Sequence, residues 1–116
     1  KKSDIEWGLH PEGIYYLLKD LQKYNKPIYV TENGLADKGD QHRSWYIKSI
    51  LENVYQAIEE GVDVKGYFHW SLLDNFEWAH GFKPRFGLYE VNYQTFERIP
   101  RSSANFYADI CKNNRI

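Results

Sequence analysis

The chain has 116 residues, 42% apolar and 27% charged, and its 15 lysines and arginines nearly balance 16 acids for a formal net charge of -1. That profile excludes a disordered tract, and cations scattered among acids argue against a phosphate-tracking nucleic-acid surface. No apolar run approaches the ~20 residues that span a bilayer. Lys1-Lys2-Ser3-Asp4 lacks the apolar stretch of a signal peptide, and one cysteine, Cys111, excludes an internal disulfide framework, so a reducing, cytoplasmic setting is expected.

The first helical signal runs from Pro11 to Tyr24. Pro11 suits the first helical position, Glu12 complements the dipole, and Ile14, Leu17, Leu18 and Leu21 repeat on one face. Asn25 and Pro27 end it, and Ile28-Tyr29-Val30-Thr31 reads as a short buried strand. A second helix is expected from about Gln41 to Glu60, with Asp40 as a candidate cap, Ile47, Ile50, Leu51, Val54 and Ile58 as its apolar stripe, and Gly61 to stop it. Lys65 to Trp70 reads as a second strand and Arg85 to Ile99 as a hairpin turning near Gln94-Thr95. Ser102 or Ser103 is placed to cap a last helix carrying Phe106, Tyr107 and Ile110.

The crossover between the two strands is long enough for a parallel pair, which gives a βα architecture. Two parallel strands leave unpaired edges and bare apolar faces, while an eight-stranded α/β barrel takes about 250 residues, so the pattern fits part of a larger sheet.

In such folds the ligand site lies at the carboxyl ends of the strands. Glu32 and Asn33 follow the first strand, and Trp70 and Ser71 to Trp78 follow the second. The side-chain period of two puts Val30 and Glu32 on one face and Tyr29 and Thr31 on the other; Phe68 and Trp70 share a face that His69 does not, so His69 is expected to pack against helices. Carboxylates such as Glu32 and Glu77 accept hydrogen bonds from hydroxyls, and the indoles of Trp70 and Trp78 offer flat platforms to the C–H faces of a pyranose. A sugar pocket fits these residues better than a phosphate or metal site, although core packing for the two tryptophans and a surface role for Glu77 stay open on residue types alone. His10, His42, His69 and His80 lack the close spacing of a metal site. Asn33 is expected to support the turn, Cys111 to be a small buried apolar residue, and Glu59 and Glu60 to be solvated.

"IYVTENGLAD" resembles the nucleophile motif of glycoside hydrolase family 1, and "GYFHWSLLDNFEWAHGFKPRFGLYEVNY" is similar to that family's signature at the eighth strand. The likeness extends to "HPEGIYYLLKDL" and to the helix after "RIPRSSA". The resemblance implies an α/β fold in which residues 1–116 form a single partial domain, the C-terminal quarter of a (β/α)8 TIM barrel with about strands seven and eight and their flanking helices. It implies Glu32 as the catalytic nucleophile at the end of strand seven, Trp70 and Trp78 lining the glycone subsite, Glu77 hydrogen-bonding the sugar's outer hydroxyls, and Phe86 packing at its edge. Gly34 would let the chain turn away from the pocket.

The implied activity is that of a retaining β-glycosidase, β-glucosidase-like, acting on terminal non-reducing β-D-glycosyl residues by double displacement. One carboxylate attacks the anomeric carbon while a second carboxyl about 5–5.5 Å away serves as acid and then base. The family carries that second group in an Asn-Glu-Pro motif, which does not occur in this chain. The acid/base is therefore expected from the N-terminal part of the barrel, supplied by another chain or by further sequence, with a β-glycoside as the other partner. No metal or organic cofactor is expected, since two carboxylates suffice. The alternatives are a non-catalytic carbohydrate-binding relic or inert fragment, and a 6-phospho-β-glycosidase. Family members of the latter kind carry serine in place of the acid matching Glu77 and a downstream lysine and tyrosine for the phosphate; here the nearby cation, Lys83, reads as surface.

Overall fold

Pro11 and Glu12 form a turn, and the helix they precede, α1, spans Gly13–Leu21 and tightens into a 3-10 turn over Gln22–Tyr24. Asn25, left-handed at φ 49°, redirects the chain. Strand β1 spans Ile28–Asn33, so Glu32 lies within the strand rather than after it. Helix α2 spans Arg43–Glu59 and stops at Gly61, whose φ of 89° favours glycine. Strand β2, Val64–His69, pairs with β1 in parallel. A short antiparallel hairpin follows, β3 (Tyr89–Val91) with β4 (Arg98–Pro100), and then α3 (Ser102–Asn113). The computed structural model describes all 116 residues.

The capping acids differ from expectation. Asp37, not Asp40, caps α2: its carboxylate accepts from the amides of Gln41, His42 and Arg43 at 3.2, 2.7 and 3.0 Å. Asp40 reaches across to α3, accepting from the Ser103 amide at 2.9 Å and from the Ser102 and Ser103 hydroxyls at 2.8 and 2.6 Å. Those serines therefore meet a carboxylate from a distant loop instead of capping their own helix. The fully buried Arg43 pairs with Asp40 and donates to the carbonyls of Asp37 and Arg85 at 2.7 and 2.9 Å, which joins both loops to the start of α2.

Helix α2 is the centre of the packing. Ile50, Val54 and Ala57 meet Leu18 of α1, with Ile28, Val30 and Val64 of the sheet against the same cluster. Its Ile47 meets Leu88 and Ala104, beside Phe106 and Ile110 of α3. Each fully buried leucine, isoleucine or valine among them contributes roughly 1.5–3 kcal/mol of transfer free energy. All three helices cover one face of the two-stranded sheet. On the opposite face Tyr29 and Phe68 are 57% and 58% exposed, aromatic surface of the kind that another element normally covers. One surface reading changes, since Cys111 is exposed rather than buried; Glu60 is exposed as expected, and it also ties the end of α2 to α1 by accepting from the Tyr15 hydroxyl at 2.7 Å.

His69 faces the helices as its position in β2 predicts, with its ring 6.0 Å from that of Tyr107. Neither ring nitrogen has a hydrogen-bond partner. Burial, reinforced by the Arg43 charge, pushes its pKa down to about 4. The imidazole is thus neutral when folded but takes a proton near pH 6.5 when unfolded. Stability is complete above pH 6.5 and lost as pH falls towards 4, by up to about 3 kcal/mol from this group. We expect urea midpoints measured between pH 7 and 4 to fall more steeply for the parent than for His69→Phe; equal slopes would show that His69 is not the group responsible. The linkage of Asp40 falls at lower pH. Burial alone would raise its pKa, but the Ser103 and Ser102 hydrogen bonds and Arg43 hold it below the ordinary carboxylate value.

Candidate active site

The pairing of β1 with β2 is irregular twice, and the second irregularity builds the site. Val30 pairs with Tyr67 and Asn33 with His69, so three steps along β1 match two along β2. The extra residue is a bulge, and it reverses the alternation. Val30 stays against the helices, whereas Glu32, expected on the same face, is exposed and lines an open cavity of about 490 Å³ at the carboxyl ends of both strands. Asn33 returns towards the helices, where its Oδ1 accepts from the Tyr67 hydroxyl at 3.0 Å and its amide donates to the Tyr46 hydroxyl at 3.5 Å. Burial drives the Tyr67 phenol well above its ordinary pKa, so it stays protonated as the donor. A tyrosine-anchored asparagine thus follows Glu32 directly, and it holds the strand end more than it supports a turn.

Gly34 is required by close approach. A Cβ there would overlap the Trp70 carbonyl, so the two strand ends can touch only with glycine at this position. The contact brings Trp70, 37% exposed, beside Glu32 on the cavity wall.

The loop after β2 hangs on Asp74. Its fully buried carboxylate accepts from Arg85 Nη1 at 3.1 Å, from Arg101 Nη1 and Nη2 at 3.3 Å each, and from the amides of Gly87 and Val91 at 2.9 and 3.2 Å. Phe76, Phe82 and Tyr93 pack in series with steeply inclined rings, at 5.3 and 4.5 Å between centroids, and the Arg85 guanidinium lies 4.7 Å from the Tyr93 ring. So anchored, the loop carries Glu77 and Trp78 over the cavity. Trp78 takes a left-handed φ of 45° and is 82% exposed, a conformation uncommon for a bulky residue and often found where a side chain is held for use. Phe86, only 3% exposed, forms the cavity's inner edge.

All five residues singled out in the sequence, Glu32, Trp70, Glu77, Trp78 and Phe86, therefore line one cavity. Asn75 and Phe76, which lie in the Ser71 to Trp78 segment placed at the strand end but were given no individual role, line it too, and so does Trp7, which was not anticipated. Trp7 sits in the segment before α1, its ring 6.3 Å from that of Phe86, and nothing local in the sequence pointed there. The only charged groups this chain contributes to the lining are the carboxylates of Glu32 and Glu77. Two carboxylate acceptors and two indoles in one cavity suit a polyhydroxylated ring with apolar faces.

The family model described as glycosyl hydrolase family 1 matches residues 1–116. A β-galactosidase from Pyrococcus woesei is 54% identical over 115 residues, covering 98% of this chain and 22% of that protein. A 6-phospho-β-galactosidase from Staphylococcus haemolyticus is 39% identical over 129 residues, covering 99% of this chain and 27% of that protein. Among solved structures, the family 1 β-glucosidase from Thermotoga maritima superposes with a TM-score of 0.97 at 43% identity, over 100% of this chain and 29% of its own. The chain thus spans about a quarter of the length of the relatives it matches.

Proposed function

The chain belongs to glycosyl hydrolase family 1, and from that membership we propose that residues 1–116 supply the nucleophile and the glycone subsite of a retaining β-glycosidase. In this reading β1 and β2 are the seventh and eighth strands of a (β/α)8 barrel, and the bare face of Tyr29 and Phe68 is covered by the other six. The observation that carries it is the bulge in β1, which turns Glu32 out of helix packing and into the cavity lined by Trp70, Glu77 and Trp78.

Glu32 attacks the anomeric carbon, a carboxylic acid from the remainder of the barrel protonates the departing oxygen, and that same group then activates water against the glycosyl-enzyme. Trp70 and Trp78 contact the sugar's apolar faces, and Glu77 accepts from its outer hydroxyls. Unmodified β-glucosides and β-galactosides are the assigned substrates. A 6-phosphoglycoside would bring a dianion towards Glu77, and no cation of this chain lines the cavity to receive it.

The test grafts this chain into the Thermotoga maritima β-glucosidase in place of the segment it matches, giving a completed barrel. Hydrolysis of p-nitrophenyl β-D-glucoside followed by proton NMR is expected to release β-glucose first. A folded chimera that releases α-glucose first, or that binds glucosides without cleaving them, would contradict the proposal. Within it, Glu77→Gln is expected to lower kcat/KM roughly 10- to 100-fold, the loss associated with hydrogen bonds to a charged group; an unchanged value would remove Glu77 from the subsite.

A further inference from the structure

The structure assigns Asn75 as a positioning residue that orients Glu77 for the sugar, an inference that rests on the reading of Glu77 as a sugar-binding carboxylate. Asn75 Nδ2 donates to Glu77 Oε2 at 2.9 Å. At the other end of the same amide, Ser71 Oγ shares its one proton between the Leu73 carbonyl at 2.7 Å and, more weakly, Asn75 Oδ1 at 3.2 Å. Ser71 is buried, and its backbone is held on both sides: its amide donates to the Phe86 carbonyl at 3.2 Å and its carbonyl accepts from the Leu88 amide at 2.8 Å. A relay therefore runs from the end of β2 through Ser71 and Asn75 to Glu77.

The direction of the relay follows from donor chemistry. The carboxylate accepts, so the amide is oriented with its NH2 towards Glu77, which leaves its oxygen facing Ser71; the reversed amide would set its oxygen against the carboxylate. One carboxylate oxygen of Glu77 is thereby held and the other remains free for a ligand hydroxyl. Glutamate has several rotatable bonds, and Glu77 lies on a loop rather than in a strand, so without Asn75 the carboxylate has to be ordered by the substrate itself.

The experiment measures kcat/KM in the completed barrel for p-nitrophenyl β-glucoside and its 4-deoxy and 6-deoxy analogues, with Asn75→Ala, Glu77→Gln and the double variant. Asn75→Ala is expected to cost about tenfold on the parent glucoside but less than twofold on whichever deoxy analogue lacks the hydroxyl that Glu77 holds. It should add less than twofold in the Glu77→Gln background. Asn75→Asp, equal in size, is the second variant: two facing carboxylates should make its kcat/KM relative to the parent fall further as pH rises and the pair loses its shared proton. Equal losses on all three substrates and a flat pH ratio for Asn75→Asp would make Asn75 a structural residue and overturn the inference. Glu77→Gln costly with Asn75→Ala neutral would overturn it while leaving the subsite reading intact. A neutral Glu77→Gln would end both.

Discussion

Glu32→Gln in the completed barrel is expected to hydrolyse p-nitrophenyl β-glucoside at least about 10⁴-fold more slowly than the parent, the scale seen when a covalent nucleophile is removed. The amide is nearly the same size but has no negative charge to attack with, so the glycosyl-enzyme cannot form. Because glutamine is nearly isosteric with glutamate and Glu32 belongs to neither apolar cluster, the urea midpoint should stay within experimental error. Glu32→Ala carries a sharper corollary. It leaves a space that a small anion can enter, and azide attacking from the same face should yield the α-glycosyl azide without a second inversion. Turnover of Glu32→Gln near the parent rate, or formation of the β-azide by Glu32→Ala, would place the nucleophile elsewhere.

Asp74→Ala is the variant expected to damage stability most. It leaves Arg101, 7% exposed, without its main partner and takes the acceptor from the amides of Gly87 and Val91. Removing one member of a buried charge pair typically costs about 3–5 kcal/mol, because the remaining charge stays desolvated. The urea midpoint should move accordingly, and high salt should not mask the difference, since buried pairs are weakly screened. Activity should fall as well, because Asn75, Glu77 and Trp78 follow Asp74 directly on the loop it anchors. A loss below about 1 kcal/mol would mean that the aromatic packing of Phe76, Phe82 and Tyr93 holds the loop without it.

Sequence reasoning went furthest where causes are local. The apolar spacing of Ile14, Leu17, Leu18 and Leu21 gave α1, the run from Ile28 gave β1, Gly61 gave the end of α2, and the parallel pairing followed from the crossover length. The family resemblance gathered Glu32, Trp70, Glu77, Trp78 and Phe86, which the fold brings to a single cavity. What it missed depends on contacts distant in sequence. The Asp40 carboxylate meets Ser103, 63 positions away, and no pattern around either residue announces the other. The face occupied by Glu32 turns on one extra residue in β1 relative to β2, which strict alternation cannot reveal. Trp7 joins the cavity only because the segment before α1 folds back against Phe86.

The most direct test of Glu32 as the nucleophile is mass spectrometry of the completed barrel after exposure to 2,4-dinitrophenyl 2-deoxy-2-fluoro-β-glucoside. The fluorine slows both formation and breakdown of the adduct, and the good leaving group, which needs little acid assistance, restores the first step alone, so the adduct accumulates. One fluoroglucosyl group per barrel is expected, found on the peptide containing Glu32 and absent from Glu32→Gln. An adduct on any other carboxylate, or a folded barrel that stays unlabelled while cleaving ordinary glucosides, would contradict that assignment.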